Sequence, residues 1–380
     1  MSQYLRKNIA ALAAYVPGEQ PRDGGYVKLN TNENPYPPSP RVLTAVRKAT
    51  NLSLRLYPEP TADTLRTLAA STYGVEVENI LAGNGSDELL SMLIRCLVGP
   101  GDPVVYPVPT YSLYDTLIAI QDGEKVEIPF GADFSLPAEI FSHRAPLTFV
   151  CNPNSPSGTL VSLQEIERLA RAVSGILVVD EAYIDFADVE GCSAIPLIQS
   201  FSNIVVLRSF SKSFSLAGMR IGLAFAAREI IAGMIKVKDS YNVTRLSLVA
   251  AAAALQDIPW MKRNVRRIQR SRHRLTRGLK KLGFQIYPAQ ANFVMARMPA
   301  RTLRGLYEEL KRRKILVRYF ATPGLEDSLR ISVGTDEEIK ILLREIEEIE
   351  GRPVAGGREE EARSKEGQAA MDEHIDTDTP

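Results

Sequence analysis

The residues with the clearest chemical potential lie together in Arg208-Ser209-Phe210-Ser211-Lys212-Ser213-Phe214-Ser215-Leu216-Ala217-Gly218-Met219-Arg220-Ile221-Gly222. A single lysine, Lys212, stands among hydroxyls, and Arg220 follows eight residues later. A lysine amine forms a Schiff base with an aldehyde, while Ser209, Ser211 and Arg220 offer donors to a phosphate dianion. The stretch therefore suits a small aldehyde that carries a phosphate. It follows the apolar run Ile204-Val205-Val206-Leu207. It thus reads as the loop at the carboxyl end of a buried parallel strand, the edge at which open α/β sheets bind ligands. A Ser-Lys pair by itself is common in surface turns, and only the whole segment points to chemistry.

Upstream, Ile176-Leu177-Val178-Val179 ends in Asp180, with Tyr183 three residues on. A carboxylate at a strand end can pair with a protonated pyridine nitrogen and keep that ring an electron sink, which is a protein's part in pyridoxal phosphate (PLP) chemistry. Tyr183 could hydrogen-bond the ring's phenolate oxygen and so lower the pKa of an imine beside it. Asp180 alone would equally suit Mg²⁺, for which Glu181 and Asp185 are the only further carboxylates close by. Gly83-Asn84-Gly85-Ser86-Asp87-Glu88 precedes a helical pattern beginning near Ser86. Its glycines admit an anion to a helix N-terminus, although Ser86 and Asp87 also read as simple capping residues. No Gly-Lys-Ser/Thr follows, and no Gly-x-Gly-x-x-Gly is present, which excludes nucleotide loops of those types.

Together these segments resemble the fold-type-I PLP-dependent aminotransferases, and in particular their histidinol-phosphate aminotransferase branch, over residues 4–350. Further markers are Leu29-Asn30-Thr31-Asn32-Glu33-Asn34-Pro35, Tyr57-Pro58, Cys151-Asn152-Pro153-Asn154-Ser155-Pro156-Ser157-Gly158 and Leu329-Arg330-Ile331-Ser332. The spacing matches that family's pattern, with Lys212 lying 32 residues beyond Asp180. The resemblance implies an α/β fold of type I, a large domain with a mainly parallel seven-stranded sheet between helices plus a smaller α+β domain. It implies that Lys212 forms the Schiff base and carries the proton, that Asp180 pairs with the pyridine nitrogen, and that Tyr183 contacts the ring oxygen. Tyr111 would stack on the ring, although a core tyrosine in a Pro-rich turn reads the same way. Gly85, Ser86, Asp87, Ser209, Ser211 and Arg220 would hold the phosphate, with Tyr57 reaching it from the partner in a homodimer.

One position departs from the pattern. The family reads Asn-Pro-Thr-Gly, its Asn bonded to the ring oxygen, where this chain has Ser155-Pro156-Ser157-Gly158. Either Ser155 reaches through a water, or Asn154 or Asn152 takes the contact; Asn154 is carried forward as a cofactor residue. For substrate, the resemblance implies that Arg330 grips a carboxylate, that Arg318 meets a substrate phosphate, and that Asn30 and Tyr15 complete the site. It implies amino transfer between histidinol phosphate and 2-oxoglutarate, giving imidazole-acetol phosphate and glutamate in histidine biosynthesis. An aromatic amino-acid aminotransferase and a threonine-phosphate decarboxylase share the cofactor. A PLP-binding regulator would carry a fused DNA-binding domain, for which residues 1–30 are too short.

The bulk properties agree with a soluble enzyme. With 380 residues, 45% of them hydrophobic, the chain can bury a core large enough for two domains. A net charge of +1 recommends neither nucleic acid nor an anionic membrane. Cys96, Cys151 and Cys192 are far apart, and His143, His273 and His374 show no ligand spacing, so neither disulfides nor a metal site is expected. No signal-type apolar segment opens the chain, and the expected location is cytoplasmic. The organisation reads as an N-terminal arm over 1–35, a large PLP-binding domain over 36–255, a small domain over 256–350 and a disordered, Glu/Gly/Ala-rich tail over 351–380. Strands are expected at 103–106, 147–151, 176–180, 204–208 and 222–225, then at 285–287, 292–296, 315–319 and 329–333. A basic amphipathic pattern over 262–281 reads as a helix with a solvated outer face.

Overall fold

The computed structural model describes residues 4–13, 18–21 and 23–351. Tyr15 lies outside them, as does the expected tail apart from Gly351, which closes the last helix. In chain order the strands are β1 (Val27–Lys28), β2 (Ile80–Gly83), β3 (Pro103–Val108), β4 (Glu124–Pro129), β5 (Leu147–Cys151), β6 (Ile176–Asp180), β7 (Ile204–Ser209) and β8 (Gly222–Ala226). They continue with β9 (Gln285–Ile286), β10 (Phe293–Arg297), β11 (Ile315–Leu316), β12 (Arg318–Tyr319) and β13 (Ser328–Ser332). Seven of them form one sheet in the order β2-β8-β7-β6-β5-β3-β4. Its pairings are parallel except where β8 runs against both β2 and β7.

The unbroken apolar runs of the central strands have a physical cause. Along β6, β7 and β8 alternate side chains enter opposite cores: Leu177, Val179, Val206 and Phe225 on one face, Val178, Val205, Leu207 and Ala224 on the other. Both faces are covered, so no position along the strand has solvent to face. The helix Leu163–Ala172 starts at Ser162, whose side chain accepts from Glu165 N, as its capping-box tetrapeptide predicts. The helix Ile258–Lys281, about 36 Å long at 1.5 Å per residue, buries Val265, Ile268, Leu275 and Leu279. One of its cations departs from the solvated face. Arg272 is 1% exposed, donates to Phe186 O and Ala291 O at 2.8 Å each, and pairs with Asp188.

The second sheet is antiparallel, in the order β12-β13-β10-β9. The single strand expected at 315–319 is divided. Ile315–Leu316 pairs in parallel with β1 from the N-terminal segment, whereas Arg318–Tyr319 pairs with β13. The partners lie in different sheets, so the chain turns between them at Val317. No helix among the described residues is long and apolar enough to cross a membrane.

Candidate active site

A cleft of about 300 Å³ opens at the carboxyl edge of the seven-stranded sheet. Ser155 leaves β5, Asp180 ends β6, Ser209 ends β7 and Lys212 follows it, all on the cleft wall. Register brings a further strand end to the same place: Gly83 of β2 lies opposite Gly222 of β8, and Gly222 opposite Ser209. The loop after β2 is thereby set beside the loop after β7.

At that corner the helix Ser86–Leu97 begins without a side-chain cap at Gly85. Arg220 donates to Ser211 Oγ at 3.2 Å and to Asp87 Oδ2 at 3.1 Å, while Tyr111 donates to Asp87 Oδ1 at 3.2 Å. Ser209 Oγ accepts from Ser211 N at 3.2 Å. The backbone is packed too tightly here for side chains. A Cβ on Gly85, which has φ +83°, would lie 2.6 Å from the Arg220 guanidinium, and one on Gly222 would lie 2.8 Å from Ser86 N. Hydroxyls, a guanidinium and a helix N-terminus converge as an anion cradle requires.

Lys212 is set between this cradle and the far wall. Its Nζ donates to Thr31 O at 3.4 Å and lies 5.8 Å from the Tyr183 ring. Asn34 fixes the lysine's backbone by donating to Lys212 O and Ser213 O. Burial, reinforced by the Arg330 and Arg220 charges, lowers the amine's pKa from 10.5 to about 8, against the opposing pull of Glu33 and Asp87. A substantial neutral fraction is thus present near physiological pH, as a nucleophile or proton acceptor needs.

Asp180 is 3% exposed. Burial raises its carboxyl from 3.8 to about 6 against two donors, Tyr114 Oη at 3.0 Å to Oδ2 and Ala182 N at 3.2 Å to Oδ1. Tyr114, stacked on Phe149 with centroids 4.6 Å apart, is buried and serves Asp180 through its hydroxyl. Behind the wall, Arg208 pairs with Glu181 at 3.3 Å and with Asp185, whose other oxygen accepts from Ser213 Oγ at 2.5 Å. That buried network joins the loop after β6 to the residue beside Lys212.

The opposite wall carries two arginines. Arg318 of β12 and Arg330 of β13 are directly opposed in register, and both line the cleft. Their guanidiniums each lie 5.8 Å from the Phe320 ring. Arg330 donates to Ser155 Oγ and Asn30 O at 3.1 Å each, and both are uncharged acceptors. Asn30 in turn donates to Glu19 O.

Asn154 and Asn152 are placed elsewhere. Asn154 does not line the cleft: its amide donates to Pro109 O and Ser157 Oγ and accepts from Thr110, so it braces the loop. Asn152 is likewise spent, on both backbone groups of Val161. Ser155, the shorter side chain, is the one at the cleft. Tyr57 is 76% exposed and stacks on Tyr241 at 4.3 Å, away from the cleft of its own chain. Residue reading missed Tyr114, Asn34 and Asn32, the last of which donates to Tyr183 Oη at 3.2 Å. The repeated asparagines of Asn30-Thr31-Asn32-Glu33-Asn34 are a signal that could have found two of them, since amides held near a core must be hydrogen-bonded.

A profile described as aminotransferase class I and II matches residues 25–346. Histidinol-phosphate aminotransferase 1 of Trichormus variabilis is 45% identical over 351 residues, covering 92% of this chain and 99% of that protein. Histidinol-phosphate aminotransferase of a Geobacter species is 47% identical over 348 residues, covering 91% and 98%. Among solved structures, histidinol-phosphate aminotransferase from Sinorhizobium meliloti in complex with pyridoxal-5'-phosphate is similar with a TM-score of 0.82 at 25% identity, covering 92% of this chain and 98% of that one. L-threonine-O-3-phosphate decarboxylase from Porphyromonas gingivalis reaches a TM-score of 0.76 at 23% identity, covering 86% and 99%, a likeness of fold alone.

Proposed function

This chain belongs to the class I and II aminotransferases; on that premise we propose that it moves the amino group of histidinol phosphate to 2-oxoglutarate, yielding imidazole-acetol phosphate and glutamate. The observation that carries the substrate choice is the cross-strand pair Arg318 and Arg330 on one wall of the cleft. Each of the two substrates brings two negative charges, a phosphate dianion in one case and two carboxylates in the other, and a pair of opposed guanidiniums offers the matching donors. Identity of 45–47% with histidinol-phosphate aminotransferases over more than nine-tenths of the chain supports the same reading.

The site's donor set fits pyridoxal 5'-phosphate: an anion cradle too close for a Cβ at Gly85 and Gly222, an amine with a lowered pKa, and a buried carboxylate beyond it. When bound, that cofactor supplies an aldehyde for the amino group and a ring that draws electrons from the carbon bearing it. Ser86, Asp87, Ser209, Ser211 and Arg220 hold the phosphate in this proposal. Asp180, as a carboxylate, would pair with the ring nitrogen and hold a proton there. Lys212 Nζ would hold the cofactor's aldehyde carbon in the resting enzyme and, once free, would carry the proton taken from the substrate carbon. Burial keeps the amine from staying protonated, which suits it to receive that proton. Tyr111 and Tyr183 line the cleft; Tyr111 would pack on the ring and Tyr183 would meet the ring oxygen.

A homodimer belongs to the same proposal. Tyr57 lies on an exposed surface with Leu54, Leu56 and Tyr241, of which Leu54 is 48% exposed and Leu56 50%. Apolar exposure of that kind suits a subunit boundary, and from there Tyr57 would serve the phosphate of the partner. A cytoplasmic setting completes the proposal, since both substrates are multiply charged solutes. The test is single-turnover spectroscopy. Holoenzyme mixed with histidinol phosphate should lose its bound-aldehyde absorbance in favour of the amine form, and 2-oxoglutarate should restore it. Faster conversion by phenylalanine, or carbon dioxide release from threonine phosphate, would replace this assignment by one of the related activities.

A further inference from the structure

In the family that this chain resembles, an asparagine before the proline bonds the cofactor's ring oxygen, but here the position is Ser155, whose hydroxyl accepts from Arg330. The structure offers another asparagine. Asn32 is 1% exposed and adopts φ +56°. Its backbone N donates to Ser332 Oγ at 2.8 Å, and that hydroxyl, with one acceptor site filled, gives its hydrogen to Asn32 Oδ1 at 2.9 Å. The amide can then present only its Nδ2 to Tyr183 Oη, at 3.2 Å. A phenol has one hydrogen to donate, and an N–H already directed at its oxygen leaves that hydrogen to point elsewhere. Tyr183 itself is held edge-on against Phe293, with centroids 5.0 Å apart.

We infer that Asn32 is a positioning residue that makes the Tyr183 hydroxyl a hydrogen-bond donor to the cofactor's ring oxygen. The inference rests on the pyridoxal phosphate reading of the site and extends it. Ser332 stands two residues beyond Arg330 on the same face of β13. The relay from Ser332 through Asn32 to Tyr183 therefore ties the strand that carries the substrate arginine to the cofactor's ring oxygen. A donor at that oxygen favours its anionic form and lowers the pH at which the nitrogen joined to Lys212 loses its proton.

The experiment is a pH titration of the visible absorbance of the holoenzyme. Asn32→Gly removes the amide and suits the positive φ, so the backbone bond to Ser332 survives. It should raise the titration midpoint by about half to one pH unit, the worth of one hydrogen bond. Tyr183→Phe should raise it by at least as much, and Asn32→Gly should add nothing in the Tyr183→Phe background. An unchanged midpoint in Asn32→Gly, or an equal shift with and without the tyrosine hydroxyl, overturns the inference. Ser332→Ala, which frees the amide to turn over, should shift the midpoint in the same direction and only when Tyr183 is present; no shift in it counts against the inference as well. A pH-dependent imine band that persists in Lys212→Ala would instead overturn the cofactor reading beneath it.

Discussion

Replacing Asp180 by Asn should strengthen the cofactor-free protein while disabling it. The carboxyl is buried, and its pKa rises from 3.8 to about 6 because desolvation outweighs the Tyr114 and Ala182 hydrogen bonds. A carboxyl whose native pKa is raised binds more protons folded than unfolded between those two values. Stability is therefore complete below about pH 4, falls as pH climbs toward 6, and stays at its reduced level above that. Two pKa units at 1.36 kcal/mol each amount to a penalty of about 3 kcal/mol at pH 7. Asparagine stands in for the protonated form: its oxygen still accepts from Ala182 N, and its NH₂ meets the Tyr114 hydroxyl, which can accept as readily as donate. Urea unfolding of the cofactor-free proteins, at one protein concentration and with comparable m-values, should show Asp180→Asn more stable by about 3 kcal/mol at pH 7 and by about 1 kcal/mol at pH 4.5. Saturating cofactor should reduce or reverse that advantage, because only the carboxylate meets a protonated ring nitrogen. A variant no more stable than the parent at pH 7, or a gap of equal size at both pH values, would show that the buried charge is not the cost supposed here.

Lys212→Ala should bind the cofactor without the absorbance of its imine and lose at least about three orders of magnitude in single-turnover rate, since base catalysis alone contributes roughly 10²–10⁴. Arg318→Ala should lower kcat/KM for histidinol phosphate by about 10- to 150-fold, the range for a hydrogen bond to a charged group. Phenylalanine turnover should barely change, and equal losses on both would remove the phosphate role. Arg330→Ala should slow both half-reactions, because histidinol phosphate carries its anionic phosphate ester on the carbon where an amino acid has its carboxylate; single-turnover rates with each substrate check this. Hybrids of Lys212→Ala with Tyr57→Phe subunits should contain one unimpaired site and exceed both parents in activity; hybrids no better than the parents would confine Tyr57 to its own subunit.

The parts legible in the sequence were those whose pattern has a single physical cause. β6 and β7 were readable because strands covered on both faces carry unbroken apolar runs, and Asp180 and Lys212 were readable because a charged residue at such a run's end must face the sheet edge. Tyr114 was not readable. A buried tyrosine in the first turn of a helix reads as core packing, and only the fold reveals the carboxylate 66 residues away that its hydroxyl meets. The reading of 315–319 as one strand failed for a related reason, since each half is claimed by a partner far away in sequence. Asn154 misled because its neighbour Ser155 departs from the expected residue, and chain position alone cannot tell a side chain turned to the cleft from one spent on Pro109 and Ser157.

The pairing of β1 with β11 bears on the order in which a newly made chain acquires its parts. Every strand of the large sheet lies between residues 80 and 226, so that sheet can close while the remainder of the chain is still being synthesised. The segment Val27 to Asn32 gains its strand partner Ile315–Leu316 and its bond to Ser332 only when those residues emerge, some 300 residues later. Until then the loop carrying Lys212 lacks both arginines of the opposing wall. The reactive amine is thus enclosed by segments far apart in sequence, and a chain without residues 315–332 would have the cofactor's floor without the wall that selects what reacts there.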